Sequence, residues 1–181
     1  MSGLNLTWGG NTPATQKKLQ ELVLYIAKKT AAIDDFGTTK INKTLYNSDM
    51  AMFLTTGASI TGAQYHRIAN GPVPKHILGA ERELEKSGYL KIDKSIAAHK
   101  RIARREPDMT QFSDPQISMI DTQIDKIKGD TSTKVSDDSH DIRWHAVPHQ
   151  GLIPYEFAFL SGKATEQDKT DAKSMAVELG W

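Results

Sequence analysis

Residues 65–74 read YHRIANGPVP, and this run restricts the chain more than any other. Pro72 and Pro74 fix their own φ and push Gly71 and Val73 out of the helical region. Asn70 and Gly71 tolerate positive φ, which suits a tight turn or a strand end. The run therefore reads as a stiff extended bridge between two regular elements. A bridge of this kind either redirects the chain or holds a functional surface in shape, and residue types alone leave both open.

Helical periodicity surrounds the bridge. From Pro13, Leu19, Leu22, Val23 and Ile26 recur on one face, with Lys17, Lys18, Glu21, Lys28 and Lys29 elsewhere on the wheel. A second helix is expected over Thr38–Thr56, stopped by Gly57. Ile41, Leu45 and Met52 line one side of it and Tyr46, Met50 and Phe53 another, the pattern of a helix buried between neighbours. Ile60–Ile68 alternates as an extended segment, with Ala63, Tyr65 and Arg67 on one face and Gln64, His66 and Ile68 on the other. Ile77–Lys86 is helical up to Gly88, and Tyr89–Ile92 with Lys100–Arg104 form a hairpin. Ser113-Asp-Pro-Gln116 carries a capping box that opens a helix lined by Ile117, Ile120, Ile124 and Ile127. A further helix is expected after Ser136, carrying Asp137, Asp138, His140, Asp141 and Trp144, and a last one from Thr165. The fold class is α+β, mainly α: a compact helical domain with a central buried helix and a small β-hairpin element. Residues 1–12 are expected as a flexible arm and 13–181 as one domain.

Composition narrows the function. With 181 residues, a net charge of +1 and 25% charged side chains, the chain is an ordinary soluble globule and no uniformly basic nucleic-acid binder. It has no cysteine, so disulfides, thiolate chemistry and cysteine-ligated zinc are excluded. The N-terminal MSGLNLTWGG lacks the cationic head and apolar run of a signal peptide, and no apolar stretch reaches membrane-spanning length. A cytoplasmic location is expected.

Two constellations bear on chemistry. His140, His145 and His149 lie among Asp137, Asp138 and Asp141, and His145 and His149 have the i, i+4 spacing of paired metal ligands. Pro148 ends the helix between them, so a structural or interface role is expected, with no metal and no cofactor. His140 and Trp144 are also four apart, a spacing that lets their rings pack. No phosphate loop, zinc-protease or nucleophile-elbow motif is present, and no enzyme is expected. The second constellation is Lys91–Arg105, with six basic residues against one acid. It suits protection of exposed strand edges, an acidic protein partner, or a winged-helix-like wing on phosphates.

KINKTLYNSDM, GASITGAQYHRIANGPVPKHI and the later SHDIRWH together resemble the SocA-like antitoxin family, the Panacea domain, over about Leu19–Val147. The matching positions are Lys43, Leu45, Tyr46 and Asp49, then Thr61, Gly62, Tyr65, Arg67, Gly71, Pro72 and Val73, then His140 and Trp144. The resemblance implies an antitoxin of a bacterial or prophage toxin–antitoxin pair that neutralises a cognate toxin, encoded nearby, by direct protein binding. Candidate partner contacts are Arg67, Arg101, Arg104 and Arg105. The alternatives are a winged-helix-like DNA-binding regulator or a phage-associated adaptor. Many relatives carry a helix-turn-helix module for autoregulation, and only a short polar arm precedes the domain here. The bridge is then expected to hold the partner-binding face in shape.

Overall fold

A computed structural model describes residues 6–160 and Thr170. Helix α1 spans Pro13–Lys29, opened by the Thr12 side chain accepting from the Thr15 N–H, with Pro13 in the first turn and Lys28 and Lys29 at the negative end of the dipole. Helix α2 spans Thr38–Thr56 and ends at Gly57, whose φ of 76° and N–H to the Phe53 carbonyl close the last turn. Both apolar sides of α2 are buried, as the two stripes required. The helix packs against α4 (Asp114–Ile127), strand β2 (Gly71–Pro74) and a 3₁₀ turn at Tyr155–Phe159. Ser113 and Gln116 cap α4 reciprocally. Helix α3 (Ile77–Lys86) buries Ile77, Ala80 and Leu84, and strands β3 (Leu90–Asp93) and β4 (Lys100–Ala103) pair as the expected hairpin. The protein is α+β and mainly α. Among the described residues, no helix is long and apolar enough to cross a membrane.

The proline run departs from the expected bridge. It is extended, but it doubles back on β1 (Tyr65–Ile68) as an antiparallel strand, with Ile68 opposite Gly71 and Tyr65 opposite Pro74. Ala69 and Asn70 form the two-residue turn. The prolines fit because antiparallel pairs alternate between bonded and non-bonded positions. The Lys75 N–H bonds the Gln64 carbonyl at 2.8 Å, which puts odd-numbered positions of this strand on the ladder and leaves Pro72 and Pro74 between its rungs. Proline is tolerated on such an edge strand. The two-residue strand β5 (Leu152–Ile153) flanks β1 on its other side, giving the order β2-β1-β5.

Three further expectations change. Regular pairing along Ile60–Ile68 is confined to β1, because residues 60–63 bond to a side chain of α2 and to Gly10 instead. The described part of the N-terminal arm is docked: the Thr7 carbonyl accepts from the Tyr155 N–H, and the Gly10 N–H donates to Gly62, each at 2.8 Å. Gly9, at φ 69°, lies so close to Ala63 that a Cβ would sit 2.4 Å from its carbonyl oxygen. The helix expected after Ser136 is two pieces, α5 (Ser132–Asp138) and α6 (Ile142–His145). Asp141 breaks it by turning extended and accepting from the Arg143 and Trp144 N–H groups, the local capping bond that competes with helix continuation. The helix expected from Thr165 lies outside the described residues.

All four residues of β2 are buried, and its outer edge faces α2. Replacing Pro72 with alanine adds an N–H on that edge with no ladder partner. The expected loss therefore exceeds the about 0.4–1 kcal/mol of unfolded-chain entropy, by about 1–3 kcal/mol for an unsatisfied donor. Denaturant unfolding of Pro72→Ala measures this, and a loss of under about 1 kcal/mol means that the donor is satisfied.

Candidate functional site

Asp49 stands past the middle of α2 with 1% of its surface exposed. Its Oδ1 accepts from the Ile60 and Thr61 N–H groups, each at 2.8 Å. Its Oδ2 accepts from the Thr61 hydroxyl and from Tyr65 at 2.8 Å, and lies 3.3 Å from the Tyr155 hydroxyl, whose proton goes mainly to the Ala63 carbonyl at 2.6 Å. Burial pushes the carboxyl above its ordinary range, against the downward pull of the Thr61, Tyr65 and Ile60 donors. Burial and the Asp49 charge push both phenols up in turn. Tyr65 meets Tyr46 and Tyr155 edge to face, and Phe53 stacks on Tyr155 at 5.4 Å. Asp49 therefore ties α2, the 60–65 segment and the 3₁₀ turn into one enclosed unit.

The second half of the site grips the β1–β2 turn. Three successive turn carbonyls are each taken by a side chain from α5, α6 or the link between them. Trp144 Nε1 donates to Ile68 at 3.0 Å, His140 Nε2 meets Ala69 at 3.0 Å, and the Ser136 hydroxyl donates to Asn70 at 3.2 Å. A carbonyl faces His140 Nε2, so that nitrogen carries the proton. The His140 and Trp144 rings lie 4.2 Å apart despite the break in the helix, because Ser139–Asp141 curls tightly between α5 and α6. Arg67 stacks its guanidinium on Trp144 at 3.7 Å and donates to the Val147 carbonyl at 2.6 Å. Among the described residues its buried Nε has no hydrogen-bond partner, and neither has the Tyr46 hydroxyl.

Lys43 closes the grip from beneath. Its Nζ donates to the Pro72 carbonyl at 2.9 Å, and burial alone pulls the amine down to about 7. Gly71 takes a φ of 95°, and a Cβ there would fall 2.1 Å from the Ser139 hydroxyl and 2.7 Å from Lys43 Nζ. Glycine is needed at 71 for both reasons.

Half of the basic segment is turned inward, while Lys91, Lys94 and Arg104 are exposed. Arg101 is 5% exposed and forms a two-point ion pair with Glu81 at 2.8 and 2.9 Å, with Thr38 as a further partner. Lys100 binds Asp34 at 2.8 Å and the Ala31 carbonyl at 2.6 Å. Arg105 clasps Glu21 at 2.6 and 2.8 Å and lies over Tyr89. Glu21 was placed by periodicity off the apolar face of α1, yet its side chain is fully enclosed. Burial raises its carboxyl, but the donors Arg105, Lys17 and the Asp108 N–H outweigh this and bring it down to about 2. Of the four candidate partner contacts, Arg104 alone is exposed, Arg67 belongs to the turn grip, and Arg101 and Arg105 are paired internally. Helix α6 ends at His145, so His149 does not share a helix face with it. Among the described residues, no group of three potential ligands is placed to hold a metal.

Two outcomes follow from this geometry. Gly71→Ala forces positive φ on a Cβ that meets Ser139 and Lys43, and is expected to lose at least about 1–3 kcal/mol. A shift below about 0.5 kcal/mol in denaturant unfolding would show that the turn relaxes freely. The folded protein holds Glu21 ionised more firmly than the unfolded chain does, so its contribution to stability is present above about pH 4.5 and lost as pH falls toward about 2. Glu21→Gln should flatten the acid limb of a stability–pH curve in that window, measured beside wild type at equal ionic strength.

A model of the antitoxin SocA-like family, Panacea domain, matches residues 41–145, more than half of the chain. The matched stretch holds Lys43, Tyr46, Asp49, the β1–β2 hairpin, His140 and Trp144, while Tyr155 and β5 fall beyond it. No curated protein and no solved structure matches the chain. The chain belongs to the SocA-like antitoxin family, the Panacea domain proteins.

Proposed function

We propose that this protein is the antitoxin of a bacterial or prophage toxin–antitoxin pair and neutralises a cognate toxin, encoded beside it, by direct protein–protein binding in the cytoplasm. The supporting observation is where the polar residues of the family pattern are spent. Asp49, Tyr65, His140 and Trp144 all bond to the protein's own backbone or to one another. Their chemistry fixes a shape, and a surface fixed before encounter loses less ordering entropy on association. No catalytic role is assigned to any residue on this reading. A wing that tracks phosphates fits less well, because Lys100, Arg101 and Arg105 already have carboxylate partners.

Co-expression tests the proposal. The product of a neighbouring reading frame should arrest growth alone, allow growth with this protein, and co-purify with it as a stable complex. Arrest that persists in the presence of the protein, or rescue without a complex, overturns it. DNA binding through the β3–β4 hairpin would weaken by about 0.9 log units per log of salt for each phosphate contact. No sequence-selective complex with that slope is expected in a titration from low to physiological salt.

A further inference from the structure

Strand register gives the β3–β4 hairpin one outer face. Lys91 stands opposite Ile102, and the Arg104 N–H, bonded to the Tyr89 carbonyl at 2.8 Å, carries the same register one step further. Alternation then puts Tyr89, Lys91, Ile102 and Arg104 on one side, away from the buried Leu90 and Arg101. All four are exposed, Tyr89 at 44% and Ile102 at 38%. Arg105, held by Glu21, lies over the Tyr89 ring and fixes the aromatic in place. Among the described residues, Lys91 and Arg104 form no ion pair. Ile102 also forms a wall of a groove of about 370 Å³ between β4 and the end of α1, lined as well by Ala27, Ala31 and Ile96. The cations of that groove are already matched, Lys28 with Glu106 and Lys100 with Asp34. The groove therefore offers an apolar seat, and unpaired charge lies on the strand face next to it.

We infer that this face docks a short acidic segment of a protein partner, with an apolar side chain seated against Ile102 in the groove and carboxylates set against Lys91 and Arg104. Register is what joins the two features. One cation stands directly across from Ile102 and the other two residues along the same strand, so each lies about 5–7 Å from it. As lysine and arginine, both are cations at neutral pH. An apolar seat alone would accept any greasy side chain, and the two charges beside it reject basic partners. The occupant is a short stretch rather than a polyanion. Asp93 stands two residues from Lys91, and Glu106 two beyond Arg104, so a run of phosphates would meet a carboxylate at either end. The inference gives a surface to the protein-binding reading above and rests on it, but its test needs no toxin.

The test is an NMR titration of the whole chain, at physiological salt, with three 12-residue peptides: leucines among glutamates, the same leucines among lysines, and serines among glutamates. The leucine–glutamate peptide should shift the Ile102 and Ala31 methyl signals and the Tyr89 ring signals together. The lysine and serine peptides should each bind at least about tenfold more weakly. Lys91→Glu with Arg104→Glu should abolish binding while leaving the circular dichroism spectrum unchanged, because both residues are exposed. Lys75→Glu with Lys126→Glu makes the same change of charge at exposed sites elsewhere, and should leave binding within about twofold of wild type. Ile102→Ser checks the apolar seat separately and should weaken binding at least about tenfold. The inference is overturned by no response to the leucine–glutamate peptide, or by equal binding of the lysine or serine peptide. It is overturned equally by binding that survives the Lys91 and Arg104 reversal or Ile102→Ser, and by an equal loss in the control pair. Stronger displacement of the same signals by a single-stranded oligonucleotide also overturns it. A growth assay that finds no toxin, beside a positive titration, removes the antitoxin reading alone.

Discussion

A carboxylate in the middle of a buried helix must be compensated on the spot, and Asp49 is compensated by groups from three separate segments. Removing an ion from water costs several kcal/mol even after relaxation, so an Asp49 without its donors would be strongly destabilising. The donors are two backbone N–H groups of a loop that has no regular structure, one hydroxyl of the same loop, the Tyr65 phenol and, more weakly, the Tyr155 phenol that the Ala63 carbonyl shares. The need runs both ways. Residues 60–63 lack ladder partners along most of their length, and the carboxylate supplies acceptors for them. The docked N-terminal residues then build on that loop through the Gly10 and Gly62 backbones. One side chain of α2 thereby decides where four sequence-distant segments sit.

The turn grip extends the same logic to the hairpin. A two-residue turn leaves carbonyls pointing away from the sheet, and each of Ile68, Ala69 and Asn70 is met by a different donor. Hydrogen bonds of this kind contribute about 0.5–1.5 kcal/mol each. Their larger effect is to fix the angle between the sheet and the α5–α6 segment, because three adjacent bonds cannot be kept under rotation. Lys43 restrains β2 from the side of α2, and the missing side chain at Gly71 is what lets it approach. The stiffness expected of the proline run is therefore real but borrowed. Prolines limit the strand's own freedom, and the lysine and the indole hold it in place.

Much of this fold could be read from residue order, and the exceptions share a cause. Helices α1 to α4 follow from apolar periodicity with Pro13, Gly57 and Ser113 at their ends, because those signals act within a few residues. The hairpin at Asn70-Gly71 was partly legible as a turn. Its strand pairing was obscured because two prolines argue against a strand, and only the alternation of bonded pairs reveals that they fall between rungs. The break before α6 came from Asp141 choosing a cap over a continued helix, a contest between local bonds that propensity does not decide. The family pattern singled out Asp49, Tyr65, His140 and Trp144, yet could not say which groups they bond to. Glu21 and Glu81 were missed altogether. Their partners Arg105 and Arg101 lie 84 and 20 residues away, and no periodicity links charges across such distances.

The disposition of charge separates the cations of the basic segment that the fold uses from those it leaves exposed. A cation that already holds a buried carboxylate gains little from a second acidic group and would leave the first one unpaired if it turned away, at a cost of about 3–5 kcal/mol for a buried pair. Arg101 is in that position, and the β3–β4 hairpin is to that extent committed to holding α1, α3 and the loop before α2. Lys91, Lys94 and Arg104 of the same segment are not, since all three are exposed and form no ion pair among the described residues. The basic segment thus divides into cations that the fold consumes and cations that remain available. Burial and pairing, rather than local density along the chain, decide which cations an acidic partner can use.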